Sequence, residues 1–262
     1  MRPEHIDIHG HLNSSDFPND LEEVIRRANE NNIIVLNVGT NYGQSKEVVD
    51  LAQKYENLYA VVGSHPIDSV DEKFDETKYA ELLSRPKVVG VGECGLDFFR
   101  LEGEVEKIKE RQESVFRKQV ELAIRFDKPL MIHCRDAYED VLRILGEYKK
   151  TAGQTLRGNI HFFAGTKADA QKFLDLGFTM SFTGVITFAP QYEELVKFVP
   201  TDKIHAETDC PYVAPAPHRG EKNEPSFVVE VVKKMAEIKG LSVETLSAQL
   251  VENAQKMFRL PF

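Results

Sequence analysis

A closed (β/α)8 TIM barrel with an additional C-terminal helix is the fold class this sequence predicts, on three observations. Eight short apolar, β-branched stretches recur along the chain, separated by longer segments whose apolar residues fall at helical spacing. Such strict alternation implies a parallel sheet, and eight repeats imply closure. The length, 262 residues, suits one barrel domain over 1–262, since α/β barrels commonly run to about 250. The open doubly wound alternative lacks its signature: Gly10 is followed by His11, and no glycine-rich dinucleotide fingerprint begins there.

In chain order, a strand at 5–9 leads into a helix over 19–31, and the run IIVLNV at 33–38 leads into a helix over 45–55. Strands at 58–63 and 87–92 precede helices over 75–84 and 105–127. The last of these is the clearest, with Val105, Ile108, Val115, Phe116, Val120 and Ala123 recurring at helical intervals among Glu, Lys and Gln. Strands at 129–133, 158–162, 178–182 and 203–207 alternate with helices over 137–149, 167–176, 191–198 and 225–239, and a further helix covers 243–257. The proline-rich loop 210–225 is long for a compact domain, which marks it as functional rather than as a boundary.

Apolar residues make up 42% of the chain and charged residues 29%, values that exclude disorder and collagen-like architecture. No apolar run approaches the roughly 20 residues of a membrane span, and the start Met-Arg-Pro-Glu-His lacks a hydrophobic signal core, so a cytoplasmic protein is expected. Cys94, Cys134 and Cys210 are too scattered for a disulfide framework or a paired-cysteine zinc motif. With 42 acidic and 33 basic side chains the net charge is −9, which argues against a protein that coats DNA or tracks long duplex. No obligate protein partner is evident.

In such a barrel the active site is built at the C-terminal ends of the strands. This chain places Asp7-Ile-His9-Gly-His11 at the first strand's end, His65 at the third, Glu93 at the fourth, His133 at the fifth, His161 at the sixth and Asp209 at the eighth. His9 and His11, two apart, share a strand face and can grip one ion. Four histidines (His9, His11, His133, His161) and two carboxylates (Glu93, Asp209) exceed what one tetrahedral zinc needs and suit two divalent ions, zinc, manganese or magnesium. Glu93 is the expected bridge, because no lysine closes a predicted strand at the mouth; Lys128 begins its strand rather than ending it.

Taken in order, Asp7 to His11, Gly63 to Pro66, Gly92 to Asp97, Gln112 to Gln119, Ile132 to Ala137, His161 to Gly165, Glu207 to Pro211 and Arg219 to Pro225 resemble the motifs of the TatD-type deoxyribonuclease family of the amidohydrolase superfamily. The resemblance covers nearly the whole chain. It implies metal-dependent hydrolysis of phosphodiester bonds in DNA, with strand ends or single strands as substrate. It also implies that His9, His11, Glu93 and Asp209 hold one ion and that Glu93, His133 and His161 hold the other.

The expected chemistry follows from a divalent ion's power to acidify bound water. Asp209 is assigned as general base and Arg219 as a bidentate phosphate clamp. His65 contacts substrate phosphate or protonates the leaving oxygen, or else is simply hydrogen-bonded in a His-Pro turn; its strand-end position favours the first reading. Arg135 reads equally as an ion-pair partner beneath the site or as a phosphate contact. Asp136 reads as an N-cap, and Glu224, beside Asn223, occupies a similar slot before a helix. Strand parity turns the three cysteines outward, away from the ions. The same parity stacks Asp7 with Glu207 beneath the ligands, where Asp7 can orient His9 or His11, and His5 with His205 deeper, unless the strand ends twist or bulge. The rival enzyme class is an amidohydrolase or esterase, including a deacylase of mischarged tRNA, because the same activated water can attack a carbonyl. A noncatalytic scaffold is disfavoured, since nothing structural requires six metal-type residues at one mouth.

Overall fold

The computed structural model describes residues 3–13, 17–67 and 73–262. Eight parallel strands pair in sequence order: β1 (His5–Gly10), β2 (Ile33–Val38), β3 (Leu58–Val62), β4 (Val88–Asp97), β5 (Leu130–Arg135), β6 (Gly158–Ile160), β7 (Thr179–Phe182) and β8 (Ile204–Ala206). The helices are α1 (Leu21–Glu30), α2 (Tyr42–Lys54), α3 (Glu76–Leu83), α4 (Val105–Arg125), α5 (Tyr138–Ala152), α6 (Lys167–Asp175), α7 (Glu193–Phe198), α8 (Val228–Lys239) and α9 (Val243–Phe258). Their starts are set by local chemistry. Asn41 accepts the Gln44 amide ahead of α2, Thr166 and Asp169 form a reciprocal capping box on α6, and Ser242 accepts the Thr245 amide ahead of α9.

The ring closes where β1 meets the segment after β8. Gly10 bridges Cys210, the Asp209 amide donates to His9 O at 2.9 Å, and the His11 amide donates to Cys210 O at 2.8 Å. The predicted (β/α)8 TIM barrel is thus the architecture observed. Val35, Ala60, Ile132 and Met180 pack in the layer under the helices with Val24, Val48, Phe116 and Phe173. A second apolar cluster joins Ile6, Ile8, Leu36, Val38, Tyr59, Val61 and Met131 to Val251, Ala254, Met257 and Phe258 of α9. α9 reaches the N-terminal strand ends: Ser247 Oγ donates to Glu4 O, and Asn253 Nδ2 donates to Thr201 O at 2.8 Å and Ile204 O at 2.9 Å. The additional helix therefore closes one end of the barrel and leaves the C-terminal mouth for chemistry. Among the described residues, no helix is long and apolar enough to cross a membrane.

Two departures from simple alternation matter. β4 runs past its expected end at 92 to Asp97, so Glu93 lies inside the strand. The pairing register also slips by one residue between Asp7 and Gly10 of β1 and between Val91 and Cys94 of β4, so these two strands each carry a bulge beside a candidate ligand. Parity on β1 is consequently not kept. Ile6 and Ile8 belong to the interior cluster, and His5 Nδ1 instead lies 2.7 Å from Ser247 Oγ. Asp7 accepts the amides of Thr208 at 2.9 Å and His9 at 3.2 Å, bracing the closure and touching neither imidazole.

His205 is the deep histidine. Its Nε2 lies 3.1 Å from Thr179 Oγ1, which itself donates to Asn159 Oδ1 at 3.1 Å. Burial, helped by Lys203, drives its pKa down to about 3. The unfolded chain therefore takes up a proton below about pH 6.5 that the native state refuses, and stability falls as pH drops through that value. Between pH 7 and 5 this single group is expected to cost about 2 kcal/mol. Urea unfolding of His205→Gln at the two pH values should show a difference smaller by that amount; an unchanged difference would refute the assignment.

Candidate metal centre

A cavity of about 690 Å³ opens at the C-terminal mouth, lined by His11, His65, Glu93, His133, His161 and Asp209 together with Arg135 and the rings of Phe99, Tyr138, Phe162, Tyr192 and Tyr212. All six predicted ligands come together. Glu93 Oε2 lies 3.4 Å from His9 Nε2 and 3.6 Å from His11 Nε2. Its other oxygen, Oε1, lies 3.0 Å from His133 Nδ1, 3.6 Å from His161 Nε2 and 3.5 Å from His65 Nε2. Asp209 Oδ1 lies 3.5 Å from His11 Nε2 and 3.9 Å from His9 Nε2. Three groups meet the spacing of a cation site: His9, Glu93 and His161; His9, His11 and Asp209; and His65, Glu93 and His133.

The far nitrogens fix the tautomers. His11 Nδ1 donates to Val38 O at 2.9 Å, His133 Nε2 faces Asp97 Oδ2 at 2.8 Å, and His161 Nδ1 faces Glu207 Oε1 at 3.1 Å. Carbonyl and carboxylate oxygens only accept, so in each neutral ring the opposite nitrogen turns a lone pair toward Glu93 or Asp209. Acceptors facing acceptors at these distances repel unless a cation lies between them, and nitrogen with carboxylate oxygen is a donor set that zinc, manganese and magnesium accept. The residues present fit divalent metal.

Electrostatics point the same way. Burial would raise Glu93, yet His65, His161, His9 and His133 hold its carboxyl well below the ordinary range. Burial also opposes charge on His133 and His161, but Asp97 and Glu93 lift the first to about 9, and Glu207 and Glu93 lift the second to about 10. Asp209, despite burial, is held low by His11, His161 and His9. The cluster favours added positive charge, whether carried by protons or by metal.

Asp97 and Glu207 are the residues that motif reading did not assign to the histidines; each stood inside a quoted motif, but nothing in spacing says which imidazole nitrogen it meets. Two glutamines of α4, seven residues apart on one face, clamp the site's backbone. Gln119 Oε1 accepts the Ser64 amide at 2.8 Å and its Nε2 donates to Ser64 O at 2.9 Å, while Gln112 does the same to Asp97 at 2.9 and 3.0 Å.

The substrate residues divide. Arg135 lines the cavity with its guanidinium 3.5 Å over the Phe99 ring, and it makes no ion pair among the described residues. Arg219 is absent from the lining: it lies 3.9 Å over the Phe188 ring and donates to Ala214 O at 2.8 Å, bracing the long loop. Asn223 Nδ2 donates to Thr208 O at 2.9 Å, and Glu224 pairs with Arg27 across the loop's outer edge. Asp136 is not a cap, since the N-cap of α5 is Ala137, and it lies in the cavity lining. His65 Nδ1 accepts the Ile67 amide at 3.3 Å, as a His-Pro turn would have it, so in the neutral ring Nε2 carries the proton toward the site. The three cysteines are buried in the strand–helix layer, join none of the cation groups, and burial pushes each thiol up.

A family model described as TatD related DNase matches residues 6–259. A metal-dependent hydrolase of uncharacterised function from Bacillus subtilis (strain 168), YabD, is 36% identical over 258 residues, 97% of this chain and 98% of its own. A protein named 3'-5' ssDNA/RNA exonuclease TatD from Erwinia billingiae (strain Eb661) is 33% identical over 266 residues, 97% of this chain and 99% of its own. Among solved structures, that of YjjV, a TatD homologue from Escherichia coli K12, superposes with a TM-score of 0.88 at 27% identity over 100% of both chains.

Proposed function

This chain belongs to the TatD-related DNase family of metal-dependent hydrolases, and from that premise we propose that it cleaves phosphodiester bonds of single-stranded DNA at a two-metal centre. The observation that carries the reading is the convergence on the two oxygens of Glu93 of imidazole nitrogens from His9, His11, His133 and His161. His9, His11 and Asp209 would hold one ion, His133 and His161 the other, and Glu93 both. Bound there, the ions supply an acidified water and positive charge for the phosphoryl oxygens.

The chain's own groups do the rest. Asp209, only 9% exposed yet in the cavity lining, takes the proton of the attacking water. His65, with its Nε2 proton directed to the site, protonates the leaving oxygen. Arg135 offers its planar fork to a substrate phosphate from its seat on Phe99. Tyr212, 55% exposed at the cavity, and Phe162 present ring faces on which unpaired bases can stack. The name of the Erwinia billingiae relative, an exonuclease of single strands, supports the same substrate class.

Purified protein reconstituted with Mn²⁺, Mg²⁺ or Zn²⁺ is expected to degrade single-stranded DNA in preference to duplex. Hydrolysis of N-acyl amino acids or mischarged tRNA without any cleavage of DNA would overturn the reading.

A further inference from the structure

We propose that Asp97 is a positioning residue of this centre: through Nε2 it fixes His133 so that Nδ1 is the atom offered beside Glu93. The inference rests on the proposed metal centre and concerns how one of its ligands is aimed. Asp97 Oδ2 lies 2.8 Å from His133 Nε2, and His133 Nδ1 lies 3.0 Å from Glu93 Oε1. A carboxylate accepts, so Nε2 keeps the proton and Nδ1 the lone pair. One strand therefore supplies both the anion that shares the ion and the anion that aims the imidazole.

The carboxylate is itself held in place. Asp97 is 1% exposed, its Oδ1 accepts the Phe99 amide at 2.9 Å, and Gln112 clamps its backbone from both sides. β4 can lie this close to β5 because Gly95, at φ +138°, faces His133, where an added Cβ would fall 1.9 Å from the His133 carbonyl oxygen. Glu207 Oε1 also approaches His161, 3.1 Å from Nδ1, without hydrogen-bond geometry. The β1 histidines differ: His11 leans on a neutral carbonyl, and His9 Nδ1 has no hydrogen-bond partner among the described residues. A carboxylate behind an imidazole strengthens it as a donor, so the position beside His133 and His161 is the tighter of the two.

Cadmium is the probe, read by cadmium-113 NMR and by competition with a chelator. Wild-type protein is expected to give two resonances. Asp97→Ala should weaken the tighter position about 10- to 100-fold and move or abolish one resonance. Asp97→Asn can turn its one acceptor oxygen to His133, but then sets an NH2 against the Phe99 amide and lacks charge, so it should weaken that position about 10-fold and keep both signals. This isosteric variant serves as the test if the alanine variant fails to fold, and unchanged affinity in it would then overturn the inference. Two wild-type affinities in Asp97→Ala would overturn it too, as would an equal loss in Gln112→Leu, which disturbs the backbone and spares the carboxylate. Wild-type protein that takes up no cadmium would instead overturn the metal centre itself.

Discussion

Replacing Glu93 with glutamine is expected to cut turnover on single-stranded DNA by at least about 1,000-fold while the barrel stays folded. The size follows from what one carboxylate does here. Its Oε2 faces His9 and His11 and its Oε1 faces His133, His161 and His65, so one side chain serves both halves of the site. Glutamine keeps the shape but supplies one carbonyl oxygen and, on the other arm, an NH2 that only donates. Either orientation turns a donor toward one set of imidazoles and repels the cation there. The fold does not depend on that charge, because the strand's own contact, the Glu93 amide to Gly39 O at 3.1 Å, survives. Metal analysis should show bound ion falling from about two equivalents to about one or fewer. A Glu93→Gln protein that retains more than about a tenth of wild-type activity after metal reconstitution would remove Glu93 from the centre.

The candidate ligand set was open to sequence reading because a barrel converts position along a strand into position in space. Any His, Asp or Glu at the C-terminal end of a strand arrives at the same mouth, so His9, His133, His161 and Asp209 could be placed without coordinates. Strand and helix existence was open for a similar reason, since apolar periodicity is read from the residues alone. What failed was direction. The register slips at Asp7 to Gly10 and Val91 to Cys94 insert one residue each, and a strict period of two no longer says which way Asp7 points. The place of Arg219 outside the cavity lining was hidden for a different reason. The loop after β8 folds back on itself through Ala214 O and Phe188, and a motif's spacing carries no information about that path.

The net charge of −9 also takes on a local meaning. Glu93 and Asp209 hold a pocket whose charge two divalent ions would reverse, while Arg135 is the basic side chain in the cavity lining. Binding of DNA should therefore depend on metal loading more than on ionic attraction to a basic surface, unlike proteins whose affinity comes from many phosphate contacts.

His65→Gln is expected to separate substrates by their leaving groups. On DNA the departing oxygen is an alkoxide that needs a proton, and loss of a positioned acid costs about 100- to 1,000-fold. On bis(p-nitrophenyl) phosphate the departing phenolate is stable without one, and the loss should stay under about 10-fold. The reason to expect an acid rather than a third ligand lies in the turn. His65 Nδ1 accepts the Ile67 amide, so a neutral ring carries its proton on Nε2, 3.5 Å from Glu93 Oε1. A nitrogen that bears a proton cannot also coordinate. Metal content should accordingly stay near two equivalents in the variant, and kcat should fall with KM little changed. Equal losses on both substrates, together with a loss of bound metal, would make His65 a ligand, a role that its grouping with Glu93 and His133 would also permit.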